Sequence, residues 1–247
     1  MKKTILVTND DGIYGPGLKP LVVELRKFAK VIVVIPDQER SGTSHSLTLH
    51  KPIRIQKVAP DTYLVNGTPA DCTRYGALKL VPGGADAVIS GINSGPNFGN
   101  DVNYSGTVAG AREGCMLGIS SLAVSVAEPV GGNFKTAAKV AAKMAKSILS
   151  KPLPAKIYLN VNIPKKAKGF RITGLGRRIY DEQIDSRTDP RGRKYYWLSG
   201  KPVSEVQCDG TDIAEAKKGY VSVTPLKIDP TAKELFPIFR EWVEKLK

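Results

Sequence analysis

Asp10 and Asp11 stand side by side in "VTNDDGIYGPG", directly after an apolar run and directly before a glycine-rich turn. Two adjacent carboxylates at the end of a buried strand repel each other and resist losing water, so a bound cation is the first expectation. The competing reading is a solvated Asp-Gly turn. Other oxygen-bearing side chains follow later apolar runs: Ser41 in "PDQERSG", and Asn93 and Asn97 in "GINSGPN". Asp10, Asp11, Ser41 and Asn93 make an all-oxygen ligand set without histidine or thiolate, which suits Mg²⁺ or Mn²⁺ and disfavours zinc or copper.

A second stretch supplies a place for an anion. In "NYSGTVAGAREG", Ser105, Gly106 and Thr107 open a segment with helical spacing, so free N–H groups and the helix dipole would point at a phosphate. A plain N-cap has the same appearance. Cation and anion seats on one rim imply phosphoryl chemistry, most simply attack of a metal-activated water on a phosphomonoester, with Asp10 or Asp11 positioning or deprotonating that water. Direct attack by one aspartate, forming an aspartyl phosphate, is the alternative. His45 and His50 are the only histidines. His45, in "SGTSHSLT", has the chemistry of an acid or base and equally that of a packing residue. "NGTPADC" (66–72) has the pattern of a helix start, with Thr68 as cap, Pro69 in the first turn and Asp71 three residues past the cap.

Positioning these residues requires a sheet. Runs rich in β-branched residues at 5–8, 31–35, 87–90, 122–126 and 157–161 alternate with segments of helical spacing. Continuous apolar runs are the mark of strands buried on both faces. The expectation is an α/β, Rossmann-like, mostly parallel sheet with helices on both faces, whose ligands sit beyond the carboxyl ends of the strands. "GYVSVTPL" reads as a final strand, and "TAKELFPIFREWVEKLK" as an amphipathic closing helix broken near Pro237. Residues 1–164 are expected to form the catalytic core. Residues 165–247 are expected to add a basic hairpin or arm, the last strand and the closing helix, with a role in oligomerisation.

The 247 residues carry 37 Lys and Arg against 23 Asp and Glu, a net charge of +14, which favours anionic partners. Within 165–201 there are eleven Lys or Arg and four Asp or Glu, interleaved with Tyr180, Tyr195, Tyr196 and Trp197. Such a segment either grips single-stranded nucleic acid or packs on a sister subunit. Three widely spaced cysteines without a C-x-x-C pair argue against a disulfide framework or a zinc site. The N-terminal apolar run is far shorter than the core of a signal peptide and nothing later could span a bilayer, so a cytoplasmic protein is expected.

Taken together, "NDDG" (9–12), "PDQERSGTSHSLTLHKP" (36–52), "NGTPADC" (66–72), "SGINSGPNFGNDVNYSGTVAGAREG" (90–114) and "GYVSVTPL" (219–226) closely resemble the SurE, or survival protein E, family. The resemblance implies a metal-dependent 5′- and 3′-nucleotidase with a Rossmann-like core. It implies that Asp10, Asp11, Ser41 and Asn93 hold one divalent ion, and that Asn97 and the Ser105-Gly106-Thr107 turn contact the phosphate. It also implies a homodimer or homotetramer with an exchanged C-terminal segment, acting on nucleoside monophosphates. Polyphosphate and short oligonucleotides are further candidate substrates. A phosphorylation receiver domain also carries an acidic pair after its first strand, but its phosphoacceptor Asp has no counterpart at Ser90–Asn93. Nucleic-acid binding without catalysis would be strongly salt-dependent and indifferent to metal removal.

Overall fold

The computed structural model describes residues 2–128, 133–181, 183–200, 202–206 and 208–246. In chain order the elements are β1 (Thr4–Thr8), α1 (Leu18–Arg26), β2 (Lys30–Pro36), β3 (Ile55–Ala59), β4 (Thr62–Val65), α2 (Pro69–Tyr75), β5 (Ala87–Asn93), α3 (Gly106–Met116), β6 (Ser120–Val126), α4 (Phe134–Ser150) and β7 (Ile157–Ile163). There follow β8 (Phe170–Ile172), β9 (Arg177–Tyr180), β10 (Ile184–Thr188), β11 (Lys194–Leu198), β12 (Pro202–Val206), α5 (Asp212–Lys217), β13 (Val221–Lys227) and α6 (Phe236–Glu244).

The apolar runs are strands because each has two faces to bury. Ile5 and Val7 join one core, under α1 and α4, while Leu6 between them joins a second core with Cys72 of α2. β2 alternates in the same way, Val31, Val33 and Ile35 against Ile32 and Val34. With no face left for water, no polar alternation survives in these strands. α4 lies flat on the sheet through Ala137, Ala138, Ala141, Ala142 and Ala145, all buried, and starts at Asn133, whose Oδ1 accepts from Thr136 N–H at 3.0 Å.

Nine strands form one sheet in the order β3-β4-β2-β1-β5-β6-β7-β13-β8. Neighbours from β4 through β7 run parallel, and β3 and β13 pair antiparallel to β4 and β7. The chain builds outward from β1 through β2, then returns to lay β5 on the other side of β1. Strand order therefore reverses between β1 and β5, which is where an open α/β sheet splays its loops apart to admit a ligand. A mostly parallel, Rossmann-like α/β fold with helices on both faces is thus the observed architecture.

β3 and β4 make an edge hairpin absent from the sequence expectation. Their faces are half exposed, so the runs are too polar to stand out, and the turn signal is the pair Pro60-Asp61, with Asp61 at φ +55°. The closing segment is interrupted just before Pro237, which lies in the first turn of α6, where a missing N–H deprives the helix of no bond; Lys233–Leu235 form a separate 3₁₀ turn before it. β10 and β11 pair as a ribbon with Arg187 opposite Tyr195, and β9 pairs with β12.

α2 opens with the expected capping box: Asp71 N–H donates to Thr68 Oγ1 at 3.1 Å and Thr68 N–H to Asp71 Oδ2 at 2.9 Å. Thr68 Oγ1 also donates to Ser46 O at 2.7 Å, tying the helix to a loop that borders the site. Thr68→Ala removes both bonds of that hydroxyl and is expected to cost about 1–2 kcal/mol of stability, read by urea titration. An unchanged midpoint would show the cap to be idle.

Candidate active site

The acid pair is held in place by the residue before it. Asn9, buried, donates from Nδ2 to Gly12 O at 2.8 Å and accepts Gly12 N–H on Oδ1 at 3.2 Å, while Gly12 takes φ +73°. This Asx turn reverses the chain at the end of β1, leaving Asp10 and Asp11 on its rim. Asp10 is 4% exposed. Its Oδ2 accepts Thr107 N–H at 3.1 Å and its Oδ1 accepts the Thr107 hydroxyl. Asp11 Oδ1 accepts Ser94 Oγ–H at 3.0 Å, and Asp11 Oδ2 is buried without a partner.

Both carboxyls are raised by this setting. Burial pushes the pKa of Asp10 up to about 6 against the pull of Thr107, and the neighbouring charge of Asp11 raises it further. Burial also raises Asp11; Ser94 pulls it down, and the charge of Glu39 adds to the rise. Glu39 is a third acid near the pair that sequence reasoning passed over in favour of Ser41, two residues on.

Ser105 caps α3, its Oγ accepting Val108 N–H at 3.1 Å. Since Thr107 N–H goes to Asp10 and Val108 N–H to the cap, the helix N-terminus first stabilises the chain's own carboxylate, and among the described residues Gly106 N–H is left without an acceptor. Glycine at 106 permits this approach: a Cβ there would lie 2.9 Å from Asp10 Cβ and 3.0 Å from its Oδ2.

The remaining sequence candidates arrive by separate routes. Arg40 N–H donates to Asp10 O at 2.8 Å, which brings the loop of Ser41 against β1; the Ser41 hydroxyl donates to Glu39 Oε1 at 2.8 Å. Asn93 ends β5 with Nδ2 donating to Gly95 O at 2.8 Å, and the next residue, Ser94, is the partner of Asp11. Asn97 is anchored inward. Its N–H donates to Asn162 Oδ1 and its Nδ2 to Ser125 Oγ, each at 2.8 Å, and its carbonyl accepts from Asn160 and Asn162. Ser94 and Glu39 are the site residues sequence reading missed; Asn9 stands with the acid pair after the first apolar run, and its Asx turn is what the fold adds.

The donor set fits a hard divalent cation. Asp11 offers a buried oxygen with no partner, and the candidate ligands Asp10, Ser41 and Asn93 add only oxygen donors of carboxylate, hydroxyl and amide type. Among the described residues no three His, Cys, Asp or Glu side chains cluster as a closed metal nest, so an ion here would draw on one or two carboxylates with neutral oxygens and solvent.

A family model described as Survival protein SurE matches residues 5–182. The 5′-nucleotidase SurE of Anaeromyxobacter dehalogenans (strain 2CP-C) is 45% identical, covering 96% of this chain and 95% of that protein. The 5′-nucleotidase SurE of Vibrio vulnificus (strain YJ016) is 43% identical over 98% of this chain and 96% of its own. The crystal structure of the SurE protein from Aquifex aeolicus superposes with a TM-score of 0.85 at 40% identity, covering 97% of this chain and 99% of that one. With Asp10 locked to a helix N-terminus at the switch point of such a sheet, and with this likeness over nearly its whole length, the chain belongs to the SurE family.

Proposed function

We propose that this chain hydrolyses nucleoside monophosphates, at the 5′ and the 3′ ester, with one divalent cation, Mg²⁺ or Mn²⁺, held by Asp10, Asp11, Ser41 and Asn93. The observation that carries the reading is the free, buried Oδ2 of Asp11 beside Asp10, which is held against the α3 N-terminus at the mouth of the sheet. Relatives named 5′-nucleotidase, 42–45% identical, supply the substrate class. When bound, the cation supplies charge neutralisation on the phosphate oxygens and Lewis acidity toward the reacting centre. Asp11 has the oxygen to spare for orienting the attacking water, and Asp10 or Asp11 takes its proton. Asp10, clamped by Thr107, holds its charge in one place. Ser105, Gly106, Thr107 and Asn97 bound the phosphate pocket, and Gly106 N–H is the donor left for the transferred group.

Assembly through the segment 165–247 is supported by apolar side chains that water otherwise meets: Trp197 and Leu198 on the ribbon, and Ile238, Phe239 and Trp242 on α6. No described helix is long and apolar enough to cross a membrane.

The test is phosphate release from a panel of nucleoside monophosphates. Turnover is expected to stop on addition of EDTA and to return with Mn²⁺ or Mg²⁺. Hydrolysis indifferent to the chelator, or no phosphate from any nucleotide, would overturn the proposal.

A further inference from the structure

Glu113 is a charged side chain that the chemistry above leaves unused, and it is completely buried. It sits on α3 two turns beyond Gly106. Its Oε2 is 2.8 Å from His45 Nε2, and Arg74 Nη2 of α2 lies 2.7 Å from Oε1, an ion pair whose approach is off the hydrogen-bonding direction. Burying a carboxylate with so few partners is unfavourable, and such a group is kept where the geometry it imposes matters.

What it imposes is the place of a loop. Residues 37–50 contain no helix or strand, yet they carry Ser41. Before Ser41, Arg40 N–H is bonded to Asp10 O at 2.8 Å. After it, Ser44 donates from its backbone to Tyr104 O at 3.0 Å and from Oγ to Asn103 O at 2.6 Å, and His45 meets Glu113. The His45 ring is 16% exposed, so this contact is the inner anchor of the loop. α3 is therefore a common reference: its first turn fixes Asp10 through Thr107, and Glu113 fixes the loop of Ser41 through His45.

We infer that His45 is a positioning residue, latched to Glu113 so that Ser41 is held at the cation site set by Asp10 and Asp11. The inference rests on the proposed metal site.

The experiment is calorimetric titration of Mn²⁺ into the full-length, metal-free protein without substrate, beside thermal melts of the same samples. His45→Ala is expected to weaken Mn²⁺ binding about 10-fold, the scale of outer-sphere losses at metal sites. His45→Gln, whose amide can still donate to Glu113, is expected to restore affinity to within about threefold of the wild type. If His45→Ala does not fold, His45→Asn, polar but too short to reach, replaces it with the same expected loss. Equal Mn²⁺ affinity in the wild type and the shortened variant would overturn the latch while leaving the metal site standing. The latch is likewise overturned if glutamine rescues nothing, or if both variants lose only melting temperature, as a packing role requires. A wild type that binds no Mn²⁺ would overturn the metal site, and the latch with it.

Discussion

Asp10→Asn is expected to lower nucleotide hydrolysis by at least about 1000-fold and, in the presence of a chelator at pH 8, to raise the melting temperature by about 6–12 °C. The two effects share a cause. Asp10 ionises near 3.8 in an open chain and near 6 in the folded one. Between those values the folded state holds the extra proton, so this group's contribution to stability falls as pH rises. Above pH 6 both states are ionised and the full cost is present, about 3 kcal/mol at 1.36 kcal/mol per unit. Asparagine carries no such cost and fits the same seat: its Oδ1 can accept Thr107 N–H, and its Nδ2 can donate to the Thr107 hydroxyl, which turns to accept. The bonds from Thr107 to the charged form are already counted in that shift, so the expected gain is the same roughly 3 kcal/mol. Below pH 3.8, where the wild-type carboxyl is protonated in both states, the two proteins should melt close together. Mn²⁺ should reverse the order at pH 8, because only the wild type gains the free energy of binding. A variant that melts below the wild type at pH 8 under chelation would show that Asp10 is not held at a cost, and would remove the physical argument for a cation beside it.

How far this site could be read from the chain depended on the kind of signal. β1, β2, β5, β6 and β7 were legible because both faces are buried and the runs are unbroken; Asp10 and Asn93 were then placed by the rule that strand ends carry ligands. The capping pattern at Thr68 and Asp71 was legible because the bonds are local. The β3–β4 hairpin was not, since an edge with half-exposed faces shows little periodicity. Nor could the chain reveal that the α3 N-terminus is taken up by Asp10, because Thr107 and Asp10 are 97 residues apart and only the fold joins them. Glu113 is the clearest case. A glutamate mid-helix reads as a solvated surface charge, and only the packing of α2 and the loop of His45 on that face makes it a buried anchor. The break near Pro237 was legible because proline is tolerated only in the first turn of a helix, so the helix must start beside it.

Gly106→Ala is expected to reduce kcat/KM for nucleoside monophosphates by about 100-fold, the scale of a misplacement approaching 1 Å, without unfolding α3. The added methyl group would lie 2.9 Å from Asp10 Cβ, 3.0 Å from Asp10 Oδ2 and 3.2 Å from Arg40 O, closer than carbon atoms settle without movement. Neither the Asp10 Cβ nor the Arg40 backbone is a flexible tip that can swing aside, so the strand end and the helix start must separate. The bonds from Thr107 to Asp10 would stretch, and the charge they fix would drift. The helix itself has no reason to object: alanine is preferred over glycine by up to about 1 kcal/mol in a helix interior, and Gly106 has no left-handed backbone to preserve. Gly15→Ala applies the same pressure to the other acid, with a Cβ 2.6 Å from Asp11 Cβ and 3.0 Å from Asn9 Nδ2. Gly174→Ala, with nothing within 4 Å of the new atom, is the control and should leave the rate unchanged. Steady-state kinetics beside circular dichroism melts distinguish a displaced carboxylate from a lost fold. If Gly106→Ala turned over within threefold of the wild type, the seat of Asp10 against the α3 N-terminus would not be what orders the reacting centre, and catalysis would have to depend on Asp11 alone.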